Sequence, residues 1–222
     1  MKPRRPDALD GVFVVGVTGG IASGKSTFAR ILAQAMPSRL VDADRLGHAV
    51  LERAEIAQEI GRVFGDDVLD ESGRVRREVL GPRAFASRAQ LDRLNGIVQE
   101  PLTALVERTI NAHSDPGFTG LVVLDAALLV EWDKGAWCDL VASVVADPAR
   151  RVERLVARTG LPAAEAERRA GLQLPDAARA AYADLVVTND GTLEEFERAS
   201  RAVAADIAGR ARAALAARGR LG

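Results

Sequence analysis

Five short apolar runs punctuate the chain: Val12–Val15, Arg39–Val41 (where only Leu40 and Val41 are apolar), Leu121–Leu124, Leu140–Val145 and Leu185–Thr188. Each is short and followed by polar or glycine-bearing sequence, which predicts a strand, and the runs at Val12–Val15 and Leu140–Val145 read as buried ones. Between them the apolar positions recur every three or four residues. Thr27–Ala33 continues toward Met36-Pro37 as a helix, and Asp147-Pro148 opens another with proline in its first turn. Thr192 is placed to cap a helix running from Leu193 to about Arg218. Strands alternating with helices predict an α/β fold in which a parallel sheet is covered on both faces.

Residues 55–113 break that alternation. Ile56, Ile60, Val63 and Phe64 form a one-sided helical stripe, and Leu91, Leu94, Ile97, Val98, Leu102, Leu105, Val106 and Ile110 form a second, longer one that leaves room for an adjustment at Pro101. A crossover helix needs far fewer residues than this. The segment therefore reads as an inserted helical subdomain, and Arg74, Arg76, Arg77 and Arg83 give it a basic cluster suited to an anionic ligand or to a solvated face.

The stretch after the first strand carries the clearest chemistry. Gly19-Gly20-Ile21-Ala22-Ser23-Gly24-Lys25-Ser26 has the form G-x-x-x-x-G-K-S, with a strand before it and a helix, beginning near Lys25, after it. Glycines let backbone N–H groups converge on an anion, and the helix N-terminus adds its positive end. This makes Gly20, Ile21, Ala22, Ser23, Gly24, Lys25, Ser26 and Thr27 the candidate nucleotide-binding loop. Lys25 is placed to reach the β- and γ-phosphates of ATP, and the Ser26 hydroxyl to hold Mg²⁺. Lysine is scarce: the chain has only Lys2, Lys25 and Lys134, so a lysine in this slot is not background.

Carboxylates and arginines complete the candidate site. Asp42 and Asp44 stand at i and i+2 at the end of the second strand, where open α/β sheets bind ligands. One reading makes one of them a general base and the other its orienting partner; the other reading makes Asp44 a helix cap. Asp125 ends the third strand, the place from which an acid holds Mg²⁺ or its water beside a phosphate loop. Arg154 and Arg158 share a helix face, and residues 159–180 form an Arg-bearing helical excursion. That excursion reads either as a lid bringing guanidinium groups to a transferring phosphoryl group or as a hairpin with a charged face.

Composition narrows the setting. With 222 residues and 48% hydrophobic content the chain builds a full core, and a formal charge of −1 argues against a nucleic-acid binder. Cys138 stands alone, which excludes an internal disulfide and a cysteine zinc site, and His48 and His113 lack metal-ligand spacing. There is no apolar run long enough for a membrane span, so a cytoplasmic protein without a membrane partner is expected. Residues 1–11 read as a disordered lead-in.

From Val14 to Gly191 the sequence resembles the dephospho-coenzyme A kinase family. The likeness rests on Gly16-Val17-Thr18-Gly19 continuing through the phosphate loop to Thr27, then Val41-Asp42-Ala43-Asp44, Gly73-Arg74-Val75-Arg76-Arg77, Ala84-Phe85 and Leu128-Leu129-Val130-Glu131. Arg154 with Arg158, Gln173, Arg179 and Ala183-Asp184-Leu185-Val186-Val187-Thr188-Asn189-Asp190-Gly191 complete it. The resemblance implies a five-stranded parallel P-loop fold like that of the nucleoside monophosphate kinases, spanning 12–222. It implies a helical acceptor insertion over 46–114 and a helical lid over 155–181. It further implies transfer of the ATP γ-phosphate to the ribose 3′-hydroxyl of dephospho-CoA with Mg²⁺, by a monomer or weak homo-oligomer. Lys25, Asp44 and Arg154 would be catalytic, with Asp44 the base. Arg158, Asn189 and Gly191 would join the loop in holding ATP, and Ser26 and Asp125 would serve the metal. Glu100 before Pro101 and Ala127 before Leu128 depart from the family's usual residues on the acceptor side.

Two other readings compete: a different small-molecule P-loop kinase, and a diverged relative that binds nucleotide without catalysis. A GTP switch would need an N-K-x-D motif, and none of the three lysines follows an asparagine.

Overall fold

The computed structural model describes residues 11–114 and 117–220. The lead-in read over 1–11 therefore lies, apart from Gly11, outside the described residues. Contacts divide the chain into two compact units, one carrying the described residues up to Asp42 and from Glu107 onward, the other Ala43–Val106.

The first unit is built on a five-stranded sheet. Strands β1 (Val12–Gly19), β2 (Ser38–Asp42), β3 (Gly120–Asp125), β4 (Leu140–Val145) and β5 (Leu185–Thr188) stand in the order β2-β3-β1-β4-β5. Every neighbouring pair is parallel. Strand β1 is central, and all eight of its residues are buried, which is why its sequence is continuously apolar rather than alternating. From β1 the chain passes to the edge strand β2, returns to β3 between them, then crosses to β4 and β5 on the other side of β1. Loops leaving the carboxyl ends of β1 and its neighbours therefore converge at the switch point.

Helices α1 (Lys25–Leu32) and α9 (Leu193–Ala217) cover one set of sheet residues. Phe28 and Leu32 of α1 and Ile207, Ala211 and Leu215 of α9 share a core with Val15, Val17, Leu121 and Val123. At roughly 1.5–3 kcal/mol for each fully buried large apolar side chain, this packing dominates what holds the phosphate loop's two flanks in place. Helix α9 starts with a reciprocal cap: Thr192 Oγ1 accepts from the Glu195 N–H at 3.2 Å, and Glu195 Oε2 accepts from the Thr192 N–H at 2.8 Å. Helix α6 (Pro148–Thr159) is capped by Asp147, whose Oδ1 accepts from the Ala149 and Arg150 N–H groups. Helices α7 (Ala163–Gly171) and α8 (Asp176–Tyr182) follow it before β5.

The second unit is helical. It holds α2 (Ala43–Leu51), α3 (Ala54–Phe64), α4 (Arg77–Ala84) and most of α5 (Arg88–Ala112). Its core is Ile60, Phe64, Val68, Leu80 and Ala84, with Ile56, Val63, Leu94 and Ile97 packed against them. The first apolar stripe and the Leu94 and Ile97 part of the second thus face one cluster. Helix α5 runs through Pro101 as a single 25-residue helix, so the adjustment allowed for there does not divide it.

Candidate active site

The phosphate loop occupies residues 20–24, between the end of β1 and the start of α1. Its turn is closed by the Ser23 N–H donating to Gly20 O and by Thr27 and Phe28 N–H groups donating to Gly24 O. Gly24 has φ of 101°, in the left-handed region that favours glycine, and a Cβ there would also collide with the Asn189 side-chain amide. Ala22 takes φ of 59° without being glycine, a conformation that the closed turn imposes.

Lys25 opens α1 and is 7% exposed; its ammonium is paired with the Asp125 carboxylate, itself 4% exposed at the end of β3. Register explains the meeting. Val17 of β1 lies beside Asp125, so the acid stands next to the strand that feeds the loop. Asp42 of β2 lies beside Asp125 on the other side and is exposed. Ser26 is exposed and Thr27 half-buried, both in the first turn of α1. Among the described residues no group of three or more His, Cys, Asp or Glu side chains is disposed to hold a metal. Ser26 and Asp125 provide only hard oxygen donors, the small set a magnesium ion takes when it arrives on substrate phosphates.

Asp44 lies in the second unit, inside the first turn of α2 and exposed. Asp42, not Asp44, is the residue immediately before that helix, so the capping alternative for Asp44 does not hold; it is an acid at the helix's positive end.

The third group comes from α6 to β5. Asn189, 6% exposed, donates its side-chain amide to Ser23 O at 2.7 Å and so ties the end of β5 to the phosphate loop. Arg154 Nη2 donates to Asn189 O at 2.9 Å and Oδ1 at 3.2 Å, while its Nη1 is buried without a partner. Arg154, Asn189, Gly191 and the exposed Leu193 line a cavity of about 320 Å³. Arg158, one turn further along α6, is exposed. The structure thus joins Lys25 to Asp125 and Arg154 to Asn189.

Several partners were not singled out as site residues from sequence. Arg151 is 6% exposed and donates Nε to Ile21 O at 3.0 Å and Nη1 to Asp176 Oδ2 at 3.0 Å. Gln173 Oε1 accepts the Ile21 N–H at 2.7 Å. Arg179, fully buried, pairs with Glu131 and lies 3.4 Å from Asp176 Oδ1. Four arginines crowd α6, and only Arg151 sits a helical turn before the buried Leu155 on the same face; that spacing was the available signal. In α7, Glu165 is held below the ordinary glutamate range by the Arg169 hydrogen bond and by Arg168, despite the opposing effect of burial.

Comparison with known proteins agrees with this geometry. The dephospho-CoA kinase family model matches residues 13–195. A dephospho-CoA kinase of Leifsonia xyli subsp. xyli is 42% identical over 201 residues, covering 88% of this chain and 99% of that protein. One from Corynebacterium glutamicum is 37% identical over 197 residues, covering 88% and 98%. Among solved structures, TT1252 from Thermus thermophilus superposes with a TM-score of 0.65 at 30% identity, covering 88% of this chain and 97% of that one. A dephospho-CoA kinase from Campylobacter jejuni, 21% identical with a TM-score of 0.55 and covering 89% and 98%, shares the fold. With the phosphate loop, its lysine–aspartate pair and the end-to-end match to these relatives in hand, the chain belongs to the dephospho-CoA kinase family.

Proposed function

We propose that this protein transfers the γ-phosphoryl group of ATP to the ribose 3′-hydroxyl of dephospho-CoA, releasing CoA and ADP. The observation that carries the reading is the buried Lys25–Asp125 pair at the mouth of a closed phosphate loop, in a chain whose relatives at 34–42% identity are named dephospho-CoA kinases. The chemistry follows from the parts. The acceptor oxygen attacks the γ-phosphorus, the bond from that phosphorus to the bridging oxygen breaks, and the electron pair leaves with ADP. Asp44 accepts the hydroxyl proton as the oxygen becomes nucleophilic. Loop N–H groups and Lys25 take the charge that gathers on the phosphoryl oxygens.

Ser26 and Asp125 would hold Mg²⁺, which screens the phosphate charge when bound. Arg154, Asn189 and Gly191 would hold the nucleotide, and Arg158 is placed to join them when the 155–181 segment closes as a lid. The helical unit would carry the acceptor, with Arg74, Arg76 and Arg77 as its anion-facing candidates. The protein would act as a monomer or weak homo-oligomer in the cytoplasm; among the described residues no helix is long and apolar enough to cross a membrane.

The test is ADP release by the purified protein with Mg·ATP, with and without dephospho-CoA, the product being checked for a new 3′-phosphate. Acceptor-dependent turnover with CoA formed is expected. Nucleotide binding without that turnover would reject the acceptor.

A further inference from the structure

The backbone of Ile21 is held on both sides of its Cα by side chains from outside the loop. Its N–H donates to Gln173 Oε1 at 2.7 Å, and its carbonyl accepts from Arg151 Nε at 3.0 Å. Arg151 Nη2 also reaches Gln173 Oε1, at 3.4 Å, so the two side chains brace each other. The fit is tight: a Cβ on Gly20 would fall inside the Arg151 guanidinium group. Gly20 has no positive φ, so its lack of a side chain is explained by this close approach.

Arg151 is engaged with protein oxygens. Each of its three guanidinium nitrogens is committed to a protein oxygen, and its charge is offset by Asp176. Asp176 in turn lies against Arg179, and Arg179 pairs with Glu131 in the loop after β3. A chain of alternating charge, its arginines buried and its acids partly so, therefore runs from the phosphate loop through the start of α8 to the loop after β3. A cavity of about 660 Å³ lies beside it between α6 and the 167–176 segment, bordered by Val152, Ala170 and Leu174.

We infer that Arg151 and Gln173 are positioning residues for phosphoryl transfer: together they clamp the backbone on both sides of the Ile21 Cα and hold the phosphate loop in its anion-binding shape. The inference rests on the loop being the nucleotide site proposed above. A loop whose shape is set in advance spends less binding energy on ordering itself, and small misplacement at such a site costs up to about a hundredfold in rate. Because both side chains hold the backbone of one residue, removing either releases it, and removing both releases it no further.

The experiment measures Mg·ADP affinity by calorimetry, kcat/KM for ATP, and thermal melting for the wild type, Arg151→Lys, Arg151→Ala, Gln173→Ala and the double alanine variant. Lysine keeps a cation for Asp176 but cannot fork to three oxygens, so Arg151→Lys separates charge balance from the clamp if Arg151→Ala fails to fold. The expected result is a loss of about tenfold or more in ADP affinity and in kcat/KM for each single variant, with the folded fraction at assay temperature unchanged. The double variant should then lose little beyond the worse single one. Wild-type values in Arg151→Lys and Gln173→Ala, losses that multiply in the double variant, or losses accounted for by unfolding would overturn the clamp. Tighter ADP binding by Gln173→Ala would overturn it too, by making Gln173 an obstruction. A wild type that binds ADP but does not phosphorylate dephospho-CoA would reject the proposed acceptor alone, because the affinity series still reads the clamp.

Discussion

Lys25 and Asp125 form a buried ion pair between the first residue of α1 and the last residue of β3, a hundred positions apart in the chain. The pairing keeps the phosphate-seeking ammonium beside an anion at the head of the loop. Nucleotide phosphates would draw Lys25 from one anion to another, so it need not leave a water-filled site. Lys25→Ala should reduce phosphoryl transfer by roughly 10²–10³-fold, the scale for losing one donor to transition-state charge. Steady-state turnover at saturating ATP checks it.

Asp125→Asn should act first on stability. It takes the paired carboxylate away from a buried ammonium, and breaking a buried pair costs on the order of 3–5 kcal/mol. Mg·ADP should then raise the melting temperature more in Asp125→Asn than in the wild type, since phosphates replace the lost anion. Equal ligand-induced shifts in the two proteins would argue that Lys25 does not change partners.

Asp44→Asn should preserve ATP affinity and lower kcat by about 10²–10⁴-fold, the usual contribution of a positioned proton acceptor. Calorimetry with Mg·ADP and turnover at saturating substrates separate the two quantities. An intact kcat would leave Asp44 as no more than an acid at a helix N-terminus.

Arg154→Ala should weaken ATP binding by about tenfold, because it removes two hydrogen bonds from a charged donor to the residue that ties β5 to the loop. The sequence had placed Arg154 at the transferring phosphoryl group. A fall in kcat with unchanged ADP affinity would return it to that role.

Gly20→Ala should weaken nucleotide binding through collision with the Arg151 guanidinium. The added methyl should cost less in an Arg151→Ala background, where the space is vacated. Paired ADP affinities of the four proteins measure the difference; an equal cost in both backgrounds would locate the harm elsewhere.

Acid sensitivity should come partly from the helical unit. Hydrogen bonding to Arg83 holds the Asp67 carboxyl below its usual 3.8, and Arg83 Nη1 also donates to Phe64 O at 2.6 Å. A depressed carboxylate pKa contributes stability that is present above the ordinary value and is lost as pH falls through the lower, folded one. Asp67→Asn should therefore flatten the fall in melting temperature below about pH 4. Melting curves from pH 7 to pH 2.5 for both proteins test this.

The sheet, its helices and the phosphate loop were legible in the sequence because each depends on local order. Continuous apolar runs mark strands buried on both faces, and the glycine loop needs only its own residues and the helix after it. The helix start at Asp147-Pro148 and the cap at Thr192 were legible for the same reason. The stripe at Ile56, Ile60, Val63 and Phe64 foretold its own buried face, but not that it would meet Leu80 and Leu94. What the chain's order does not contain is which distant polar groups meet. Arg150, Arg151, Arg154 and Arg158 look alike in sequence. Only the packing of α6 against the loop and the following helices buries Arg151 against Ile21, sets Arg154 on Asn189 and leaves Arg158 in solvent. Charge pairing across long separations is decided by strand register and helix rotation, so Lys25–Asp125 and Arg179–Glu131 belong to the tertiary structure. The residues able to do the chemistry are thus a property of the sequence. Which of them touch the reacting groups, and which hold the backbone that does, follows from how the sheet brings its edges together.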